Sequence, residues 1–318
     1  MPKPFERALE LAERERGTTH PNPVVGAVVA AGDEVVGEGW HARAGGPHAE
    51  LVALEAAGER TRGATLYVTL EPCAHYGRTP PCVDAIIAAG VARVVVGAPD
   101  PNPKTDGQGF ARLRQSGVDV ELLDGELARR ARRQNEAWRT WIAAGRPFVT
   151  YKAAVTLDGR VVVRKSRWVT GEESRRRVHE LRAASDAVAV GMGTVRADAP
   201  RLDARDVDAE RQPRRLAFGT GPLPEGSKLE LVSGPLDETL KRLAAEGVQS
   251  LLLEGGPTLA SSFFREGLVD KLLVFVAPTL AGSGPHWVDE LGAAVPLAGL
   301  EAERVGDDVL LTGYIREP

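Results

Sequence analysis

Twice along this chain of 318 residues, short β-branched runs take turns with stretches of helical periodicity. Such a pattern buries its apolar faces only in a sheet covered by helices. After a helical opening, PFERALELAERERG, the segment VVGAVVAAGDEVVGEGW reads as a hairpin around Ala31-Gly32-Asp33. Helix and strand then alternate through HAELVALEAAGER, ATLYVTL, PCVDAIIAAG, ARVVVGA, GFARLRQSG and VDVELL. This order predicts one three-layer α/β domain with a mixed or largely parallel sheet. A long polar helix, ELARRARRQNEAWRTWIAAG, follows and stops at Gly145, with Pro147 as a second stop signal, so the boundary falls near 145.

The second half, 146–318, resumes the theme. PFVTYKAAVTLDGRVVV is a long β-rich run with a turn at Asp158-Gly159, and GEESRRRVHELRAASDA is helical. AVAVGM, RRLAFGT and SLLLEGG read as strands, with the helix DETLKRLAAEG between the last two. DKLLVFVAP and DVLLTGYI complete a second α/β domain. Two domains also suit the length, since single cores stop growing well before 318 residues.

Charge narrows the function classes. Lys and Arg total 40 against 44 Asp and Glu, a net charge of −4, so the chain lacks the electrostatic footprint of a nucleic-acid binder. No run approaches the ~20 apolar residues of a bilayer span, and the N-terminus has no apolar signal core. The expectation is a cytoplasmic enzyme acting on a small molecule, with neither nucleic acid nor membrane as partner. The sequence does not fix the oligomeric state, although enzymes of this α/β kind commonly form homo-oligomers.

The chain has only 2 cysteines, too few for a disulfide framework; in a reducing compartment such a pair is more often metal-binding or catalytic. Both lie in TLEPCAHYGRTPPCVDAI, shortly after GGPHAELVAL, where His48 and Glu50 flank Ala49. Catalytic zinc takes three protein ligands and leaves a fourth position for water, and His48, Cys73 and Cys82 supply three. Cys82 opens a predicted helix, whose N-terminal partial charge favours the thiolate. With Pro47 in the first helical turn, His48 and Glu50 converge at a helix entry, although they would point apart in mid-helix. Glu50 then stands beside the water without binding metal, placed to shuttle a proton to a departing amine. The alternatives are a closed structural zinc site and two inert core cysteines.

Zinc deaminases carry H-x-E followed by P-C-x-x-C; here HAE precedes EPC, and eight residues, AHYGRTPP, separate the cysteines. The longer loop reaches outward with His75 and Arg78 as its polar members. Arg78 suits a substrate phosphate, unless both side chains merely bond the loop to itself. Together, THPNPVVGAVV, GEGWHARAGGPHAE, GATLYVTLEPCAHYGRTPPC and DPNPKTDGQG resemble the deaminase domain of the bifunctional riboflavin-biosynthesis deaminase/reductase family. The wide cysteine spacing separates that family from cytidine and tRNA-adenosine deaminases. The resemblance implies a cytidine-deaminase-like fold over 1–145, with zinc on His48, Cys73 and Cys82. Glu50 would be the catalytic proton shuttle, and Asn22 would help read the pyrimidine.

In the second half no G-x-G-x-x-G follows a strand, so a Rossmann-type cofactor site has no support. In SLLLEGGPTLASSFF a strand leads through Gly255-Gly256 into a helix, either an anion site for a cofactor phosphate or an ordinary structural turn. YKAAVTLDGR, SRWVTG, TVRADAPRLDAR and LEGGPTL are similar to the reductase domain of the same family, implying a dihydrofolate-reductase-like fold over 146–318. The likeness implies NADPH held by Ala154, Trp168, Thr194, Asp198 and the turn of Gly256, Pro257, Thr258, Leu259, Ala260, Ser261 and Ser262. It places Lys152, Ser166, Arg182, Leu202, Arg205 and Glu254 toward the substrate, whose phosphate suits arginine's planar fork.

Two departures stand out. Ala199 replaces the second Asp of the family's ADDP, and the turn from Asp158 to Ser166 is short. The family first hydrolyses the 2-amino group of 2,5-diamino-6-(5-phosphoribosylamino)pyrimidin-4(3H)-one. It then reduces the ribosyl group of 5-amino-6-(5-phosphoribosylamino)uracil to ribityl, so the expected partner is a small pyrimidine ribotide. A nucleic-acid deaminase, which would bind in a salt-dependent manner, and a non-catalytic zinc module, which would not turn over, are the alternative readings.

Overall fold

A computed structural model describes residues 3–14, 16–76, 80–103, 105–209 and 211–318. The chain divides into two compact units, residues 1–143 and 144–317.

In the first unit, α1 (Pro4–Ala12) precedes a hairpin of β1 (Gly26–Ala31) and β2 (Glu34–Trp40), closed by Gly32 at φ 61°. Then follow α2 (Ala49–Ala57), β3 (Thr65–Val68), α3 (Cys82–Ala88), β4 (Arg93–Val96), α4 (Gln108–Gln115) and β5 (Asp119–Leu122). The described strands form one sheet in the order β2-β1-β3-β4-β5, antiparallel across the hairpin and β1/β3 and parallel beyond. One face packs Ala53, Ile86 and Leu113 of α2, α3 and α4 on Val29, Leu66 and Val94. The other carries α1, through Phe5 and Leu9, together with Ala131. This is the expected three-layer mixed sheet.

The predicted long polar helix is instead two, α5 (Gly125–Gln134) and α6 (Glu136–Ala144). Between them Asn135 leaves helical geometry at φ −115°, ψ 25°. Its buried amide accepts from Val24 N and donates to Val24 O, both at 2.9 Å, satisfying a backbone pair that no strand partner reaches.

Close packing sets the height of α2. A Cβ on Gly37 would lie 2.3 Å from Ala53 O, and one on Gly39 would lie 2.3 Å from Ala49 O. The helix backbone therefore rests directly on the backbone of β2, an approach only glycine permits.

The second unit holds β6 (Phe148–Thr156), α7 (Glu172–Ala184), β7 (Ala187–Gly191), α8 (Met192–Asp198), β8 (Arg214–Phe218), β9 (Glu230–Val232) and α9 (Leu236–Ala245). It continues with β10 (Ser250–Leu253), α10 (Pro257–Arg265), β11 (Lys271–Ala277), β12 (Ala298–Val305) and β13 (Asp308–Tyr314). The sheet order is β12-β13-β11-β6-β10-β7-β8-β9, parallel from β11 to β9 and antiparallel at the β13 and β12 edge. Leu240 and Leu243 of α9 and Phe263 of α10 cover one face. On the other, Val178 of α7 packs on Phe275, and Met192 and Val195 of α8 pack on Val188 and Val190.

One sequence expectation changes here, and two strands come with no expectation behind them. Val161 to Val163 do not extend the β6 run into a strand, because Arg160 makes only an isolated bridge to His286. The edge strands β9 and β12 carry no alternating apolar pattern, and β12 is exposed almost throughout.

Candidate functional site

His48 is the N-cap of α2 and Cys82 the first residue of α3, while Cys73 lies on the loop that leaves β3. The three converge. His48 Nδ1 is 3.0 Å from Cys82 Sγ and 3.6 Å from Cys73 Sγ, and all three donor atoms lie within 4.8 Å of one another. Ligand atoms of a tetrahedral zinc site are about 3.5 Å apart, so these three donors are grouped closely enough to hold that ion.

The electrostatics agree. A hydrogen bond with Cys82, aided by His48 and the Cys82 N–H at 3.3 Å, pulls Cys73 down to about 4. The same hydrogen bond with Cys73, together with burial, pushes Cys82 up. A lowered Cys73 thiol beside Cys82 and His48 is the kind of donor set that a divalent metal takes. Pro47 precedes the N-cap and is not in the first turn as expected; the extended His48 backbone brings Glu50 to the site from the second helical position. Glu50 is buried, and that burial raises its pKa.

Two residues that the sequence reading passed over support this centre. His41 is buried, with its ring edge-on to His48 at 5.6 Å between centroids. Burial keeps it neutral, so Nδ1–H donates to Pro47 O at 2.9 Å while Nε2 accepts from Asn22 Nδ2 at 3.1 Å. Asn22 is thus fixed through His41 to the segment that carries His48. Glu71, two residues before Cys73, is buried and accepts from the backbone N–H groups of Asp100 (3.3 Å), Gly107 (3.2 Å) and Gly109 (3.1 Å). It holds the loop whose Thr105 hydroxyl meets His75 Nδ1 at 3.3 Å. Arg78 lies outside the described residues. The signals were present in the quoted GEGWHARAGG and EPC, but neither motif reveals that its polar residue is buried.

In the second unit a cavity of about 1360 Å³ opens at the C-terminal ends of β7, β8 and β10. Lys152, Ala154, Trp168, Thr194, Asp198, Arg205 and Glu254 line it, as do Gly256 to Leu259 and Ser262. Arg182 lines it too, but its fork is engaged by Glu254, Nε to Oε1 at 2.6 Å and Nη2 to Oε2 at 3.0 Å. Lys152 Nζ stands 3.7 Å from the same carboxylate. Burial works against the charge on Glu254, but the two cations outweigh it and hold its pKa down. Burial lowers that of Lys152.

Four expected contacts are not on the cavity wall. Leu202 is buried in the core beneath α8, with its backbone at φ 53°. Ser166 turns back on Trp168, donating to its carbonyl at 2.7 Å. Ala260 and Ser261 face inward from α10, where they pack the core and receive the Asp289 N–H. Arg205 is half-committed, with Nη1 on Asp203 Oδ1 at 2.6 Å.

Comparison with known proteins matches this division. Residues 3–98 fit the family model described as the cytidine and deoxycytidylate deaminase zinc-binding region, and residues 147–311 fit the RibD C-terminal domain. The riboflavin biosynthesis protein RibD of Aquifex aeolicus is 40% identical over 96% of this chain and 95% of its own length. That of Escherichia coli is 40% identical over 96% of both. Among solved structures, Acinetobacter baumannii RibD superposes with a TM-score of 0.85 at 36% identity, covering 98% of this chain and 97% of its own. The deaminase/reductase of Thermotoga maritima gives 0.83 at 32% identity, with coverage of 98% and 97%. The chain belongs to the RibD family of riboflavin biosynthesis proteins.

Proposed function

We infer that the chain is a bifunctional enzyme of riboflavin synthesis, with residues 1–145 as a zinc-dependent pyrimidine deaminase and 146–318 as an NADPH-dependent reductase. The Thermotoga relative is named as a diaminohydroxyphosphoribosylaminopyrimidine deaminase and 5-amino-6-(5-phosphoribosylamino)uracil reductase. The observation that carries the reading is the convergence of His48, Cys73 and Cys82 beside a buried Glu50.

When bound, zinc supplies the acidity that brings a water molecule's pKa toward neutrality. Glu50, whose pKa is raised by burial, would be the group that holds the proton drawn from water and hands it to the departing amino group. Asn22 uses its Nδ2 on His41, which leaves its carbonyl oxygen for a pyrimidine N–H. His75, steadied by Thr105, bounds the pocket from the inter-cysteine loop.

In the reductase unit, NADPH supplies the hydride when bound. Reduction of ribosyl to ribityl would place a hydride at C1′ and a proton on the ring oxygen as the C1′–O bond breaks. Lys152, half-buried in the cavity wall and made more acidic by desolvation, is the proton donor of this reading. Glu254 and Arg182 hold it in place. The enzyme works in the cytoplasm on a small ribotide, without nucleic acid or membrane, in keeping with a net charge of −4.

The test is to supply zinc-loaded protein with the diaminopyrimidine ribotide, measure ammonia, then add NADPH and follow its absorbance. Ammonia release followed by NADPH oxidation is expected. Ammonia without oxidation would sink the reductase half, and no ammonia would return the metal centre to a structural role.

A further inference from the structure

The cavity reading leaves the discrimination between NADPH and NADH without an agent, and the structure assigns it to Arg196. The inference rests on the cofactor assignment above and goes one step further, naming the cation that reads the 2′-phosphate.

The first observation concerns which cations in the cavity are already satisfied. Arg182 is forked on Glu254, Arg205 is paired with Asp203 and Arg176 with Glu180. Arg167 and Arg175 lie over the Trp168 ring, 5.0 and 5.2 Å from its centroid. Arg167 and Arg175 thus have a ring and no carboxylate, whereas among the described residues Arg196 faces neither a carboxylate nor an aromatic ring. Its Nη2 donates to the Thr220 carbonyl at 3.0 Å, and among the described residues it forms no ion pair with a carboxylate. Asp198, two residues on along α8, lines the same cavity, but no hydrogen bond or ion pair joins it to Arg196 among the described residues. Arg196 therefore presents an uncompensated guanidinium to a cavity that already holds Lys152 and Glu254 at its other end.

The second observation is position. Lys152 on β6 and Glu254 at the end of β10 mark where hydride must arrive, and the Gly255-Gly256 turn into α10 sits at the end of the same β10. The parallel order then runs β6-β10-β7-β8. Three strand spacings of about 4.8 Å put the exit of β8 about 14 Å from β6. An extended dinucleotide lying across the strand ends, nicotinamide over β6 and diphosphate over β10 and β7, carries its adenosine to β8. There Arg196 reaches over from α8 to Thr220.

The third observation is room. Glycines flank Thr220 on both sides, and a Cβ on Gly221 would stand 3.2 Å from Arg196 Nη2. The exit of β8 is reduced to backbone at the point where the guanidinium lies, and the exposed Thr220 side chain adds a hydroxyl donor. A phosphomonoester dianion suits this pair, since the planar fork binds two phosphate oxygens at once. The free 2′-hydroxyl of NADH offers neither charge nor a second acceptor.

The experiment is isothermal titration of the full-length protein with 2′,5′-ADP and with 5′-AMP, at two salt concentrations, for wild type, R196Q and R196K. The wild type should bind 2′,5′-ADP the more tightly, with a salt-sensitive margin. R196Q should lose about tenfold to a hundredfold of that affinity, as for a charge-assisted bond, while its 5′-AMP affinity stays within about twofold. R196K should fall between them. If R196Q discriminates as well as wild type, or if discrimination disappears instead in R167Q, the assignment to Arg196 is overturned. If the wild type binds neither nucleotide, the cofactor reading itself fails, a result that binding of 5′-AMP alone would not produce.

Discussion

Glu71 is the residue whose removal should show most clearly that a buried carboxylate organises the deaminase pocket from outside it. Its two oxygens accept three backbone N–H groups at 3.1 to 3.3 Å, two of them in buried surroundings. A hydrogen bond to a charged acceptor contributes about 1.5–3 kcal/mol, and an abandoned buried donor costs about as much. E71A strands all three donors. Allowing water to reach the half-buried Gly107, the loss is about 3–6 kcal/mol. E71Q keeps one oxygen for Asp100 and Gly107 but turns an NH2 toward the Gly109 N–H, for a loss of about 1–3 kcal/mol. In a domain of this size each kcal/mol moves the midpoint by about 3–4 °C, so E71A should fall by roughly 10–20 °C and E71Q by roughly 3–10 °C. Zinc release to a chromogenic chelator during heating reports the first unit, and NADPH oxidation with supplied deaminated intermediate reports the second. Only the first should move. An E71A midpoint within about 1 °C of wild type, or equal shifts in both readouts, would refute the argument.

Other expectations can be checked alongside. E50Q should keep its zinc and lose deamination by about 10²–10⁴-fold, the usual worth of a general acid–base, while reducing supplied intermediate at the wild-type rate; zinc analysis with the two activity assays decides it. Ala199 closes α8 in the left-handed region, at φ 42° and ψ 55°, so A199G should raise the inactivation temperature of NADPH oxidation, by about 0.5–1 kcal/mol of stability. A lower temperature would show that the conformation is not strained. Asp158 is held below the usual carboxylate range by the Thr156 hydroxyl and the N–H groups of Ala281 and Gly282. Because that pKa is depressed, the stabilisation is full above the ordinary Asp value of about 3.9 and fades as pH falls through the folded value. The difference in denaturation midpoint between wild type and D158N should therefore shrink from pH 6 toward pH 2; a constant difference would exclude the carboxylate as its source.

How legible the protein was depended on whether a residue's environment follows from its neighbours in sequence. The metal ligands were legible because each sits at an element end that punctuation marks, His48 after Gly-Gly-Pro and Cys82 after Pro-Pro. The two cores were legible because their strands are runs of β-branched residues. By contrast, β12 lies at a sheet edge with almost every side chain in water, so it carries no periodic signal. The break at Asn135 comes from a bond to Val24, 111 residues away, which no local window contains. Arg182, expected by family resemblance to face the substrate, lines the cavity, but its pairing with Glu254, 72 residues away, was not legible in the sequence. Leu202 was carried over from family resemblance, and its side chain is buried in the core beneath α8. Position along a motif does not give the direction of a side chain.

The backbone contact of α2 with Gly37 and Gly39 has a consequence for inheritance as well as for architecture. His48 and Glu50 stand at the end of that helix, and a metal sphere tolerates errors of only about 0.2 Å in its ligand distances. Any side chain at either glycine must first displace the helix backbone, so a methyl group there is transmitted along a rigid rod to the ligands. In a survey of random variants these two positions, which contribute no atom to the chemistry, should therefore tolerate as few alternatives as His48 itself. A map of mutational intolerance would then trace the lever that sets the metal site as well as the site.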